Sequence, residues 1–261
     1  VMFSVLDMFT IGVGPSSSHT VGPMCAAQAF ASSLEESGAV SRVGRIRVVL
    51  YGSLSLTGLG HGTDRAILAG LEGNVPATVD TDYLLSVRER CAHDGTIHVN
   101  GTNAIAYDDD GDMVFDRWKR LAPHPNGMRF QAFDAQGNII DEQVWYSIGG
   151  GFIRRGRIDD ALISNHEQTP ASSQSPEDSG NDEAAEYGDG VPYPFVSCDG
   201  LIDLCRKHHL SIADVVWANE TARRSPQEVR DRLTRIWNVM SHCIDAGCAS
   251  ATPTLPGGLD V

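Results

Sequence analysis

Between Asp159 and Gly190 the chain carries nine Asp or Glu side chains and no Lys or Arg, with Ser, Pro, Gly and Asn filling much of the remainder. Such a segment buries too little apolar surface to offset the entropy of ordering its backbone. It reads as a solvated, flexible spacer, and it divides the 261 residues into parts that must each find a core of their own. The expected partition is an α/β domain over 1–157, the acidic linker over 158–190, and a helical segment over 191–261.

The first part alternates between strand-like and helix-like stretches. Ser4 to Ile11 is mostly apolar and runs into Gly12-Val13-Gly14-Pro15. Thr20 then stands as a helix cap. Met24, Ala27, Ala31 and Leu34 follow at helical spacing, and Gly38 is the natural stop. Arg45 to Tyr51 alternates and is β-branched, which predicts a strand. A glycine-punctuated loop from Gly52 to Gly62 leads to a second helix, capped by Thr63 and carrying Ile67, Leu68 and Leu71. Thr96 to Val99, Met128 to Phe133 and Ile139 to Ile148 read as strands, the last two joined by a hairpin turn at Asp134–Asn138. Strands with two packed helices predict a layered α/β sandwich.

After Val191 the pattern is helical. Asp199 is expected to cap one helix, Ser211 with Asp214 to open another, and Ser225-Pro226-Gln227-Glu228 to open a third. That third helix aligns Val229, Leu233, Ile236, Met240, Cys243 and Ile244 on one side, a stripe that requires a partner surface. Three helices followed by Leu255-Pro256-Gly257-Gly258-Leu259 resemble the start of a larger all-α domain.

The charge balance narrows the partners. With 20 Lys and Arg against 34 Asp and Glu, the formal charge is -14, which disfavours nucleic acid and anionic membranes. No apolar run of about 18 residues is present, so no membrane-spanning helix is expected. The six cysteines are too sparse for a disulfide scaffold and form no CxxC pair. With no export signal at the start, they read as reduced thiols in the cytoplasm.

Two segments carry the chemistry. Gly12 to Thr20 places Ser16, Ser17, Ser18, His19 and Thr20 just ahead of a helix. Free N–H groups at a helix start favour an anion, the hydroxyls add donors, and an imidazole exchanges protons near neutral pH. The segment is neither a Walker A loop nor a dinucleotide fingerprint. Gly58-Leu59-Gly60-His61-Gly62-Thr63-Asp64 repeats the design after a strand. A lone histidine is most often a surface or core residue. Two, each in a Gly/Ser turn at a helix start, point to a small-carboxylate site with His19 and His61 as proton carriers. Asn126, in Pro125-Asn126-Gly127, is either a ligand contact or a turn residue. Cys198, Cys205, His208 and His209 are better explained as helix-face residues than as metal ligands, so no metal ligand is assigned.

These residues fall in motifs that resemble bacterial iron–sulfur-dependent L-serine dehydratases of the single-chain type. The run from Phe9 to Met24 resembles the family's opening. Tyr51 to Gly58, Gly60 to Asp64, His124 to Met128, Tyr146 to Phe152, Val191 to Phe195 and Leu255 to Leu259 follow in the family's order. The resemblance covers the chain apart from the acidic linker. It implies a β domain similar to the allosteric substrate-binding domain of some D-3-phosphoglycerate dehydrogenases, followed by an α domain that begins at about residue 191. It implies conversion of L-serine to pyruvate and ammonia, without pyridoxal phosphate, in a homodimer. A [4Fe–4S] cluster would act as a Lewis acid in the complete enzyme, with its cysteine ligands beyond the point matching Val261. The chain then corresponds to an N-terminal fragment. His19 and His61 are the implied catalytic residues. Ser16, Ser17, Ser18, Thr20, Ser53, Thr63, Asp64 and Asn126 are the implied substrate contacts. Two other classes remain open: an amino-acid-binding regulatory module without catalysis, and a zinc hydrolase built on His19 and His61.

Overall fold

The computed structural model describes residues 4–165 and 190–249, together with the backbone of 254–255 and 259–260. Most of the expected acidic linker lies outside the described residues. Its first residues are built into the fold. The described residues divide into two compact units, one of 12–165 with 254–255 and 259–260, and one of 4–11 with 190–249.

The first unit is a mixed sheet with helices. In chain order it contains α1 (Gly22–Glu36), β1 (Arg45–Tyr51), the one-turn α2 (Ser53–Thr57), α3 (Thr63–Leu71), α4 (Thr81–Asp94), β2 (Thr96–Val99) and β3 (Asn103–Ala106). After these come α5 (Asp109–Asp112), β4 (Met113–Asp116), β5 (Lys119–Leu121), β6 (Gly127–Phe133), β7 (Ile139–Gly149), β8 (Phe152–Arg155) and β9 (Leu162–Ser164). The sheet runs β2-β3-β1-β6-β7-β8, with β4 parallel to β1. Its central register pairs Val48 with Phe130, and Phe130 with Gln143.

Alternation along β1 explains the layering. Ile46, Val48 and Leu50 join Phe30, Leu34, Ile67, Leu68 and Phe130 in the main core under α1 and α3. Val49 and Tyr51 point the other way, to Leu121, Val144 and Tyr146. Both faces of β1 are therefore buried, and α1 and α3 supply the cover on one of them.

The predicted β1, β2, β6 and β7 are present, as is the Asp134–Asn138 turn. Helix α4 has no counterpart in the sequence reading, because its apolar positions are few: Leu84, Val87 and Cys91 alone are buried. The Gly52–Gly62 loop folds as α2 and a 3₁₀ turn at Leu59–His61. Two expected caps shift. Ser16, not Thr20, receives the first amide at the head of α1, and Gly62, not Thr63, precedes α3. Of the acidic linker, Leu162–Ser164 pairs with Lys119–Leu121, and the Tyr146 hydroxyl donates to Asp160 at 2.5 Å.

The second unit holds α6 (Cys198–His208), α7 (Ile212–Thr221) and α8 (Pro226–Ala249). Ser197 rather than Asp199 caps α6. The Ser211–Asp214 capping box and the Ser225 cap both form. Residues 4–11 belong to this unit because Glu220 holds them: its carboxylate accepts from the Ser4 hydroxyl and the Val5 amide, each at 2.8 Å. The final backbone pair, β10 (Thr254–Leu255) with β11 (Leu259–Asp260), is antiparallel and belongs to the first unit.

Candidate active site in the α/β unit

The head of α1 is unusual. Residues Ser17–Val21 form a π-helical turn, a form that recurs at functional sites. Ser16 starts it: its carbonyl accepts from Thr20 at 2.9 Å and Val21 at 3.3 Å, and its hydroxyl accepts from the His19 amide at 3.1 Å. The wider turn swings His19 toward the loop after β1. There its Nε2 lies 3.0 Å from the Ser53 hydroxyl. On the other side Nδ1 lies 2.9 Å from the Ser18 hydroxyl, and Ser16 Oγ stands 3.5 Å away. A neutral imidazole donates from one nitrogen and accepts at the other, and rotating hydroxyls suit either tautomer.

His61 approaches from the opposite loop. Gly62 takes a left-handed conformation (φ 65°), which lets the chain turn from the 3₁₀ segment directly into α3. The His61 Nδ1 lies 2.9 Å from the Thr57 carbonyl, which only accepts, so Nδ1 carries the proton. In the neutral ring this leaves the Nε2 lone pair as the basic site. The two imidazoles are 4.9 Å apart between centroids and tilted by 39°. Burial, and secondarily repulsion from His61, hold the His19 pKa below its ordinary value. His19 is thus neutral near pH 7.

Ser16, Ser18, His19, Ser53 and His61 therefore come together. Ser17 is exposed, and its carbonyl caps the turn through the Gly22 amide. Asn126 is buried next door: its side-chain amide donates to the Ser147 carbonyl at 3.2 Å, and the preceding Pro125 carbonyl accepts from the Ser53 amide at 2.9 Å. Three residues read as ligand contacts have inward-facing polar atoms. Thr20 donates to the His61 carbonyl at 2.8 Å, and Thr63 donates to the His19 carbonyl. Asp64 is buried against Arg88, which also pairs with Asp109 at 2.8 Å.

Two neighbours were absent from the sequence-based site. His124 accepts from the Asn126 amide at 3.1 Å, and burial, with Arg154 nearby, lowers its pKa. Ser147 is fully buried on β7, and its hydroxyl has no hydrogen-bond partner among the described residues. A serine in the apolar run Val144–Ile148 was the available signal.

Among the described residues no group of three or more His, Cys, Asp or Glu is placed to hold a metal ion. Cys91 is buried in the main core, and burial pushes its thiol up to about 11. Among the described residues the donor set does not suit an iron–sulfur cluster.

The layered α/β unit thus gathers hydroxyls and two imidazoles at adjoining helix starts. Residues 4–157 match the family described as serine dehydratase beta chain, and the chain belongs to that family. It is 41% identical over 258 residues to an L-serine dehydratase of Streptomyces coelicolor, covering 99% of this chain and 52% of that protein. It is 38% identical over 264 residues to L-serine dehydratase 1 of Escherichia coli, covering 100% of this chain and 52% of the relative. An L-serine dehydratase of Helicobacter pylori is 34% identical over 259 residues, 99% of this chain and 51% of that protein. The chain spans about half the length of the curated relatives it matches.

Proposed function

We propose that this chain is the N-terminal part of an L-serine dehydratase, converting L-serine to pyruvate and ammonia. The observation that carries the reading is the pair of imidazoles 4.9 Å apart, ringed by the Ser16, Ser18 and Ser53 hydroxyls, in a chain of this family. Residues 1–157 serve as the β domain and 191–261 as the first helices of the α domain. The complete enzyme is read as a cytoplasmic homodimer, with no nucleic-acid or membrane partner. Among the described residues no helix is long and apolar enough to cross a membrane.

In this reading the exposed edge of the Ser16–His19 turn, with Ser17 and Ser18, receives the substrate carboxylate. Hydroxyl donors at a helix start suit a carboxylate better than a neutral group. Asn126 steadies the loop that carries Ser53. In the same reading His61 Nε2 takes a proton, and neutral His19 relays one through Ser53 or Ser18. Loss of the α-proton and of the β-hydroxyl as water leaves aminoacrylate. That species tautomerises to the imine, which water hydrolyses to pyruvate and ammonia. A [4Fe–4S] cluster in the complete enzyme would supply Lewis-acid help at the leaving hydroxyl from ligands outside these 261 residues. Pyridoxal phosphate is not required.

His61→Ala in the complete enzyme should lower kcat/KM by about 10²–10⁴-fold in a serine-dependent pyruvate assay. Unchanged kinetics would remove His61 from acid–base work. Saturable serine binding with no turnover in any longer chain would favour the regulatory-module reading instead.

A further inference from the structure

The two histidine loops are tied to each other in a symmetrical way. Thr20, directly after His19, donates its hydroxyl to the backbone carbonyl of His61 at 2.8 Å. Thr63, two residues after His61, donates its hydroxyl to the backbone carbonyl of His19. Each loop thus holds the other at the residue that carries the imidazole. We infer that Thr20 and Thr63 form a reciprocal clasp that sets the spacing and facing of the His19 and His61 rings, acting as positioning residues for that pair rather than as substrate contacts.

Three observations support this assignment. Thr20 is 1% exposed and Thr63 is 0% exposed, so neither hydroxyl is open to a ligand arriving from solvent. Each threonine is seated against a glycine. A Cβ at Gly14 would meet Thr20 first, Cγ2 at 2.5 Å and Oγ1 at 2.8 Å, while one at Gly58 would meet the Leu54 carbonyl at 2.2 Å before Thr63 Oγ1 at 2.9 Å. Only glycine lets the backbone pass that close to Thr20, and Gly14 also takes a left-handed φ of 77°. Finally, α3 cannot rotate freely under Thr63. Asp64, in its first turn, is buried on Arg88, which is held in turn by Asp109, itself bonded by the Tyr107 hydroxyl at 2.7 Å. One anchored helix start and one π-turn are thereby joined at two carbonyls.

The geometry has an electrostatic signature. Among the described residues, the charge that acts on His19 is that of His61, and it opposes protonation of His19. Ser16, Ser18 and Ser53, the other groups on the ring, are neutral hydroxyls. If the clasp sets the ring spacing, removing it should uncouple the two histidines without unfolding the unit.

This inference rests on the dehydratase reading only for its catalytic meaning, and its test needs no turnover. The His19 ring would be titrated by NMR in the 261-residue chain, with and without His61→Gln, in wild-type and in Thr20→Val/Thr63→Val backgrounds. Valine keeps the threonine shape and drops the hydroxyl. His61→Gln should raise the His19 midpoint in the wild type. In the double-valine background that rise should fall to less than half, and Thr20→Ser/Thr63→Ser should restore it. The same rise in both folded backgrounds would overturn the clasp, whatever happens to the melting temperature. If the double-valine chain does not fold, each single valine variant is titrated, and undiminished coupling in both would overturn it equally. Unchanged kinetics of His61→Ala would sink the catalytic reading while leaving this coupling experiment decisive for the clasp.

Discussion

The α/β unit and the helical unit use the same local rules and reach different degrees of closure. In the first, every long apolar stripe finds a cover: Phe30, Leu34, Ile46, Leu50, Leu68 and Phe130 are all buried in one cluster. In the second, the caps of α7 and α8 form as the sequence directs, yet α8 buries only Val229, while Trp237 is 61%, Met240 41% and Ile244 58% exposed. Capping and periodicity are properties of a few consecutive residues, whereas burial needs a second surface. A helix can thus be fully specified before its tertiary environment exists.

The sharpest way to break this contrast is to remove a side chain from each unit. Phe30 is fully enclosed and stacked on Phe130 at 5.2 Å. Phe30→Ala should destabilise the α/β unit by about 3–5 kcal/mol, read by denaturant unfolding followed through amide exchange in that unit. A loss under about 1 kcal/mol would mean that the core is looser than its burial states.

A smaller effect should separate the units by pH. His19 and His124 are both held below their ordinary pKa, chiefly by burial. The unfolded chain then binds protons that the folded unit resists, so their contribution is complete above the unfolded pKa. It is lost as pH falls toward the folded values. Stability of the α/β unit should therefore drop as pH is lowered from 7.5 through 6, and His19→Gln should flatten the slope. A slope unchanged by that substitution would show that His19 is not desolvated.

The smallest effect is expected at Trp237. Trp237→Ala should change the stability of the 261-residue chain by no more than about 0.5 kcal/mol, because little surface is recovered by exposing its site further. A cost similar to that of Phe30→Ala would show that α8 has a covering surface within this chain, and the comparison between the units would fail.

The sequence made much of the α/β frame legible. The β-branched run Arg45–Tyr51 and the two strands around Asp134–Asn138 are dictated by alternation and a turn, which are local. The gathering of Ser16, Ser18, His19 and His61 was legible because both histidines sit in glycine turns at helix starts. Helix α4 was not, since its weak stripe takes its meaning from α3 beneath it. Nor was the pairing of Leu162–Ser164 with β5, because the acidic composition around it masks three residues with a partner some forty positions away.

The sequence by itself determined several of the strand segments, the caps of α7 and α8, and which side chains bring hydroxyls and imidazoles to the helix starts. The tertiary structure alone decided what each of those side chains faces. Thr20 and Thr63 carry the same hydroxyl as a ligand contact would, and in their buried positions it is turned onto each other's histidine loop. Ser147 looks like a strand residue until β7 brings it, fully buried, beside Asn126. Hydrogen-bonding capacity belongs to the residue, but the direction in which it is used is set by contacts between segments far apart in the chain, and local pattern carries no record of them.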